Sequence, residues 1–326
     1  CVTDVCPTGA LTTREFRFES RVWNLESAES VCNGCDVGCN IFIGYRQGQI
    51  FRYRPRVNPE VNDHWLCDFG RFSYERYDTD RVVVPKVRTD DDYLGISTWS
   101  EALEAIGNAA AKATKTAAIF SANMTNEEAW LAKELFVERM GASAGVMVDA
   151  IEPIRMKSRT EWHLGTQAAP NYRGVAAALG VPASGNGQPT TDNLLDKLMT
   201  TGAGDIDLLF ITDSAFSERA KDPAVVANLR KAKFLVVMSW DANHPLNDVA
   251  DVLLPSTIHA EKEGTFTNLQ GRVQRIHQAY PPKGQAVTDL ELYRRIGAML
   301  YSDAEEFRGF GLIPEFAVAE TAAVQA

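Results

Sequence analysis

Four cysteines at a distinctive spacing are the residues of this chain best suited to chemistry. Cys32, Cys35 and Cys39 follow a C-x2-C-x3-C spacing, and Cys67 comes later, in the stretch His-Trp-Leu-Cys-Asp. Thiolates are soft ligands that bind zinc or iron–sulfur clusters. The spacing therefore predicts a metal site in which one compact loop supplies three ligands and a returning strand supplies the fourth.

The same spacing helps to choose between zinc and a cluster. Structural zinc sites with four cysteines usually pair two C-x2-C knuckles, whereas these four cysteines contain only one. A cubane is wider, so three thiols of one loop and one distant thiol can each reach a different iron. Gly34 and Gly38 would let the backbone approach the sulfides closely. We expect a [4Fe-4S] cluster, with zinc as the alternative.

A second, partial cluster site is predicted at Cys6, which is followed by Pro7 and the turn-forming Gly9. Ferredoxin cysteine runs end in Cys-Pro, and that last thiolate ligates the other cluster of a two-cluster domain. We expect Cys6 to ligate a cluster whose remaining ligands lie upstream; the alternative is a buried free thiol. Cys1 does not fit the run, because four residues separate it from Cys6 where the run has three.

Composition restricts the kind of protein this can be. The 326 residues are 45% hydrophobic and 23% charged, which is typical of a globular protein. A net charge of -10 disfavours nucleic acid as the main partner. The sequence shows no membrane-spanning run and no targeting segment. All six cysteines fall in the first fifth of the chain, which favours metal binding in a reducing compartment over a disulfide framework.

The elements around the cysteines are predicted to be strands. Residues 15–23 alternate between apolar and charged side chains, as a half-buried strand does, and residues 41–45 and 49–53 flank a hairpin turn. In the second hairpin strand Arg52, Arg54 and Arg56 share one face. They would either place a positive field near the cluster, which raises its potential, or form a solvated stripe on an edge strand.

The rest of the chain alternates between short apolar strands and capped helices. Capping motifs begin helices at Thr98, Thr125 and Thr288. This order predicts a parallel sheet covered on both faces, which is a doubly wound α/β body. His244 and His259 follow strands, where such sheets place ligands, but we interpret both as structural histidines. His64 is close to Cys67 in sequence and is a weaker candidate ligand.

These stretches together resemble a known family. The four cysteines, with residues 68–72 after the last of them, resemble the cluster module that opens molybdopterin oxidoreductases, and residues 249–256 and 263–272 are similar to stretches of the body that follows it. With Cys6 and residues 7–11 added, the chain resembles the large iron–sulfur subunits of respiratory NADH-quinone oxidoreductase, complex I. The resemblance implies an α/β fold in three parts: residues 1–28 as the end of a ferredoxin-like domain, 29–85 as the [4Fe-4S] module, and 86–326 as the body.

The resemblance also implies a function. The chain would relay electrons from an NADH-oxidising module toward quinone, within the peripheral arm of complex I. It would lie on the cytoplasmic side of the inner membrane and reach that membrane only through partner subunits. Asp68 stands where molybdenum enzymes commonly carry lysine, and no cysteine follows Cys67, so no molybdopterin is expected. The alternatives are a catalytic molybdopterin subunit of an NAD-dependent formate dehydrogenase and a zinc-stapled bridging module.

Overall fold

The computed structural model describes residues 2–77, 80–180, 194–212 and 218–301. Three strands belong to the cysteine-rich part and eleven to the rest of these residues. In chain order they are β1 (Glu26–Val31), β2 (Asn40–Arg46), β3 (Gln49–Pro55), β4 (Lys86–Arg88), β5 (Leu94–Ile96), β6 (Thr116–Ser121), β7 (Ser143–Met147), β8 (Ala150–Lys157), β9 (Trp162–Gln167), β10 (Leu208–Ile211), β11 (Phe234–Ser239), β12 (Val252–Pro255), β13 (Gly264–Thr267) and β14 (Val273–Ile276).

The α-helices of the described residues range from single turns to three or four turns. They are α1 (Val2–Val5), α2 (Asp68–Arg71), α3 (Trp99–Lys112), α4 (Asn126–Ala132), α5 (Tyr172–Leu179), α6 (Leu194–Thr201), α7 (Pro223–Leu229), α8 (Pro245–Val249) and α9 (Asp289–Leu300). A π-helical segment, Lys133–Arg139, continues α4. Within these ranges every helix is too short or too polar to cross a membrane.

The predicted helix starts are confirmed by their caps. Thr98 and Thr125 each accept a hydrogen bond from the backbone N–H three residues later, and Glu101 and Glu128 bond back to them, so both are capping boxes. Thr288 caps α9 by accepting from the Glu291 N–H. These motifs are local in sequence, which is why they could be identified without the structure.

A seven-stranded sheet forms the centre of the body, in the order β5-β4-β12-β11-β10-β6-β7. The five strands from β12 to β7 are parallel, whereas β4 and β5 are antiparallel additions at one edge. Alternate side chains of β6 point to opposite faces: Ala118 and Phe120 pack beneath α3, α4, α5 and α9, while Ala117 and Ile119 pack beneath α6, α7 and α8. The predicted doubly wound α/β body is therefore confirmed.

A smaller sheet, β1-β2-β3, carries the cysteine loop and packs against the body. The predicted hairpin is confirmed as β2 and β3. The body contributes two further hairpins, β8–β9 and β13–β14. One hydrophobic cluster joins the two parts, because it contains Ile41 and Tyr53 of the small sheet together with Trp240 and Ile258 of the body.

Two local predictions were wrong. Residues 15–23 form turns and the start of a short 3-10 helix, Val22–Asn24, instead of a strand. Phe16 is buried, but Phe18 is 88% exposed with φ of 70°, so the alternation does not follow a pleated strand. Cys67 lies at the N-cap of α2 and not on a returning strand. Cys1 and the C-terminal residues after Phe316 lie outside the described residues.

Candidate metal centre

Three of the four predicted ligands lie on the loop between β1 and β2, and the fourth lies across from it. Cys32, Cys35 and Cys39 are buried, and Cys67 is partly buried against the same hydrophobic cluster. The Cys32 N–H donates to the Cys39 carbonyl over 2.7 Å, which closes the loop on itself. The structure therefore brings together all four of these thiols, from one loop and from the N-cap of α2.

Glycine is required where α2 passes the loop. A methyl group on Gly70 would lie 2.7 Å from Cys32 Sγ and 3.6 Å from Cys67 Sγ, so the two sulfurs flank one α-carbon. Gly34 is also tightly placed, with a Cβ position 3.2 Å from the α-carbon of Gly70. The close approach predicted for Gly34 is thus present. Gly70 was missed as a contact, although it stands in the residue 68–72 stretch that carries the resemblance.

Gly38 has a different role from the predicted one. Its φ is 64°, a left-handed conformation that favours glycine, and its Cβ position lies 2.8 Å from Gln274 Nε2 and 3.1 Å from Asn268 Cβ. Gly38 therefore serves the turn before Cys39 and the contact with the body.

Backbone N–H groups point at the sulfurs. The Gly34 N–H donates to Cys32 Sγ over 3.4 Å, and the Gly70 N–H donates to Cys67 Sγ over 3.3 Å. The Val37 N–H also interacts favourably with the Cys35 thiolate. Such hydrogen bonds stabilise the charged form of sulfur and adjust the reduction potential of a bound cluster.

Burial strongly disfavours the charged thiolates in the absence of a cation. It raises the pKa of Cys32 to about 12, with the nearby Cys67 adding to the effect. Burial also raises the pKa values of Cys35 and Cys39 well above the ordinary thiol value, and repulsion among the four sulfurs contributes to both. Because metal ligands must be deprotonated, positive metal charge is what these four groups lack, and metal binding here would release protons.

The residues present fit a thiolate-bound cluster. The donor set is four cysteine thiols, glycine lies at the closest backbone approach, and N–H donors face the sulfurs, as outer-sphere contacts of iron–sulfur clusters do. In the part of the chain that the structure describes, no group of three or more His, Cys, Asp or Glu side chains forms a site for a single metal ion.

The body covers the cysteine loop from a second side through Asp36, a residue that sequence reasoning missed. Its buried carboxylate accepts from the Thr166 N–H over 2.9 Å, and its carbonyl accepts from the Leu269 N–H over 2.8 Å. Gly165 of β9 passes so close that a methyl group there would lie 2.9 Å from Cys35 Sγ. These partners come from distant segments, so no local sequence pattern marks them.

Aromatic side chains surround the loop on the side of the small sheet. The Asn33 side chain, next to Cys32, donates to the Tyr77 hydroxyl, and the Tyr77 ring lies edge-on to Trp240 with 5.0 Å between centroids. Tyr53 and His259 Nε2 form a hydrogen bond of 3.0 Å. Burial lowers the pKa of His259 to about 3, so its imidazole is neutral at pH 7.

The other histidine candidates behave as structural residues. His244 is the N-cap of α8, where its Nδ1 accepts from the Leu246 N–H over 3.3 Å. His64 is largely exposed, and its Nε2 lies 3.4 Å from Asp63 Oδ1.

Cys6 lies apart from the four thiols, beside a cavity of about 620 Å³ between the N-terminal segment and β3. Its Sγ is 3.3 Å from the Thr8 hydroxyl. Hydrogen bonds from Thr8 and from the backbone at Leu11, Thr8 and Ala10 lower the pKa of Cys6 to about 7. Cys6 therefore carries substantial thiolate at neutral pH, which is the form that binds metal.

The three arginines of β3 divide between the two predicted roles. Arg52 and Arg54 line the cavity beside Cys6, and Arg52 lies over the Phe16 ring at 4.6 Å. Arg56 instead pairs with Glu29 at 3.4 Å and donates to the Asn40 side chain. The positive charge thus lies on the side of Cys6, while β3 is also an edge strand of its sheet.

Comparison with known families gives two matches along the chain. Residues 25–75 match the family described as "NADH-ubiquinone oxidoreductase NDSU1/NuoG-like, 4Fe-4S domain". Residues 174–299 match the family described as "Molybdopterin oxidoreductase". The first match contains Cys32, Cys35, Cys39 and Cys67, and the second covers much of the body.

Curated relatives are named as subunits of the same enzyme. "NADH-quinone oxidoreductase subunit 3" of Thermus thermophilus is 39% identical over 136 residues, which are 41% of this chain and 17% of that protein. The corresponding NADH-quinone oxidoreductase subunit of Streptomyces coelicolor is 38% identical over 129 residues, 39% of this chain and 15% of that protein. Its counterpart in Rickettsia felis is 34% identical over 142 residues, 43% of this chain and 21% of that protein.

These alignments confirm the resemblance inferred from the cysteines, and each spans about a fifth or less of the relative's length. Among solved structures, "Acetylene Hydratase from Pelobacter acetylenicus" aligns with a TM-score of 0.49 and 11% identity. That alignment covers 86% of this chain and 70% of the other.

Proposed function

We propose that this chain is an iron–sulfur electron-transfer subunit of an NADH-quinone oxidoreductase, relaying electrons from an NADH-oxidising module toward quinone. The observation that supports this most directly is the convergence of Cys32, Cys35, Cys39 and Cys67 within the stretch that matches the NuoG-like 4Fe-4S domain. Curated relatives named as subunits of that enzyme support the same assignment.

In this proposal the four thiolates hold a [4Fe-4S] cluster, which supplies one-electron transfer when bound. The chain's own residues exclude water and adjust the potential. Gly34 and Gly70 donate N–H hydrogen bonds to ligand sulfurs, and the hydrophobic cluster around the loop keeps the local dielectric low. Electron relay of this kind requires no substrate site in the chain itself.

We further propose that Cys6 ligates a second cluster whose other ligands lie outside this chain. Its lowered pKa, the N–H groups of the turn after Pro7 and the positive side chains beside the cavity support this role. Cys6→Ser should leave the iron content of this chain unchanged. In a longer version of the protein that contains upstream ligands, the same substitution should remove the EPR signal of one cluster.

We propose that the body binds no molybdopterin, although it matches the molybdopterin oxidoreductase family. Two sequence features support this: Asp68 follows the fourth cysteine, and no later cysteine is available as a metal ligand. Asp68 lies at the first position of α2 with a largely exposed side chain. Molybdenum and pterin analysis of the purified protein tests the point, because finding both would favour the formate dehydrogenase alternative.

The partners and location follow from the proposed complex. We expect the chain to bind other subunits of the peripheral arm and to lie on the cytoplasmic side of the inner membrane, attached only through those subunits. Co-purification with the other subunits, followed by release from membranes at high salt or alkaline pH, would test this location.

The deciding experiment is metal analysis of anaerobically purified protein. We expect four irons and four sulfides per chain, and an EPR signal after reduction. Cys39→Ser, which removes a buried ligand, should lower iron content and change or abolish the signal. Trp23→Ser, at an exposed position away from the thiols, is the control and should retain the wild-type iron content. One equivalent of zinc without iron would instead establish the structural zinc alternative.

A further inference from the structure

Two amide side chains of the body reach the turn that carries Cys35 and Cys39. Asn268 Nδ2 donates to the Val37 carbonyl over 3.1 Å, and Gln274 Nε2 donates to the Gly38 carbonyl over 2.9 Å. Asn268 is 1% exposed and Gln274 is 6% exposed. The two carbonyls therefore have buried, specific donors from a hairpin more than two hundred residues further along the chain.

Each amide is itself held in orientation. Asn268 Oδ1 accepts from the N–H groups of Gln270 and Arg272, at 3.1 and 3.0 Å. Gln274 Oε1 accepts from the Asn40 side chain. Because the oxygen of each amide is occupied, its nitrogen is directed at the cysteine loop. The two donors are therefore fixed before any metal is bound.

The carbonyls that these amides hold belong to peptide groups of the turn itself. The Gly38–Cys39 peptide carries the Cys39 N–H, which interacts favourably with the Cys39 sulfur. The Val37–Gly38 peptide carries the Gly38 N–H, which donates to the Cys35 carbonyl over 3.2 Å. A donor on the carbonyl side of a peptide fixes its plane and polarises its N–H. Asn268 and Gln274 thus act on the sulfurs through the backbone between them.

We propose that Asn268 and Gln274 are positioning residues for the cluster site: their side-chain amides lock the Cys35–Cys39 turn in the conformation that presents its sulfurs. The inference depends on the proposed function for the identity of the cluster. It gives the body a specific task, which is to hold the ligand loop from outside.

Isosteric variants test this in the full chain. Asn268→Asp and Gln274→Glu keep the accepting oxygens but lose the donors to the loop. Gln274→Met removes the donor without adding charge. The matched control is Gln270→Glu, in the same hairpin connection, whose exposed amide donates to Glu161 and not to the cysteine loop.

The readouts are iron loss to a chelator, the EPR spectrum of the reduced cluster, and hydrogen exchange of residues 33–39 in metal-free protein. We expect iron loss to be about tenfold faster or more in the three variants, as outer contacts of metal sites typically contribute. Their EPR g values should shift and exchange in the loop should accelerate, while Gln270→Glu matches the wild type.

Equal behaviour of Gln274→Met, Gln274→Glu and the control in chelation and exchange would overturn the inference. If Asn268→Asp does not fold, the two Gln274 variants decide the matter, since Gln274→Met adds no buried charge. A wild-type chain that binds neither iron nor sulfide would refute the proposed function instead. A wild-type cluster that is indifferent to all three variants would refute only the positioning role.

Discussion

At the scale of single residues, the ligand set and its environment have different origins in the sequence. The spacing of Cys32, Cys35 and Cys39 could be identified directly because the three thiols share one loop. Gly70 and Gly165 could not, because their importance depends on which sulfur they approach in three dimensions. Local patterns thus predicted the donors but not the groups that surround them.

Gly70→Ala should separate metal binding from folding. The new methyl group would lie 2.7 Å from Cys32 Sγ, and a free thiol can rotate away from it, whereas an iron-bound sulfur cannot. We expect about tenfold or greater loss of iron retention, with little change in the unfolding temperature of the metal-free chain. Chelator competition and thermal unfolding measure the two effects.

Gly95→Ala is the matched control, because its methyl group would meet its nearest neighbour at 3.5 Å, an ordinary contact. It should retain iron as the wild type does. Iron retention that is equal in the two alanine variants would show that Gly70 is not needed for close approach to the site.

At the scale of elements, one buried ion cluster joins two helix starts. Lys262 Nζ lies 2.9 Å from Glu128 in the capping box of α4 and 3.1 Å from Asp289 at the start of α9. All three side chains are buried. Burial raises the pKa of Asp289 to about 6, even though Lys262 opposes the shift. The lysine is therefore what makes two buried carboxylates tolerable at neighbouring helix termini.

Lys262→Met should destabilise the fold at pH 7. Removing one partner leaves two buried carboxylates without their cation, which costs about 3–5 kcal/mol of the free energy of unfolding. Urea unfolding at pH 7 measures the change. Lys221→Met, which disrupts only an exposed pair with Glu218, should cost less than about 1 kcal/mol. A loss of similar size in both variants would contradict the role assigned to the buried cluster.

The prediction of elements succeeded where the signal was local and failed where pairing decided the outcome. The capping boxes at Thr98 and Thr125 began helices as expected, because their hydrogen bonds span three residues. Residues 15–23 had the alternation of a strand but do not pair with another strand in the described structure. Strands β4 and β5, at the edge of the sheet, have only three residues each and too few side chains to form a recognisable pattern.

At the scale of the whole molecule, the cysteine module and the body share one core. The Tyr53–His259 hydrogen bond crosses between them in a fully buried position. The doubly wound body followed from the order of its elements, but the sharing of a core did not, because it depends on contacts between distant segments. The junction also contains a histidine whose protonation is linked to stability.

We expect His259 to make stability depend on pH. Burial lowers its folded pKa to about 3, whereas an unfolded histidine titrates near 6.5. The unfolded state therefore binds the proton first, so this contribution is present above about pH 6.5 and declines as pH falls toward 3. In urea unfolding between pH 7.5 and 4.5, the advantage of wild type over His259→Gln should shrink by up to about 1.4 kcal/mol per pH unit.

The comparison with His259→Gln is needed because carboxylates titrate in the same range and affect both proteins alike. His277→Gln is a suitable control, since His277 is largely exposed and its replacement should leave the pH profile close to that of the wild type. Parallel profiles for wild type and His259→Gln would show that the histidine is protonated in the folded protein.

The cover that the body places over the cysteine loop also bears on the timing of synthesis. Asp36 and its partner Thr166 are 130 residues apart, and Asn268 follows Val37 by 231. The ribosome therefore releases the thiols long before it has made the segments that enclose them. We expect cofactor delivery to be easiest during this interval, so that a newly made chain accepts iron and sulfide more readily than a finished, empty one.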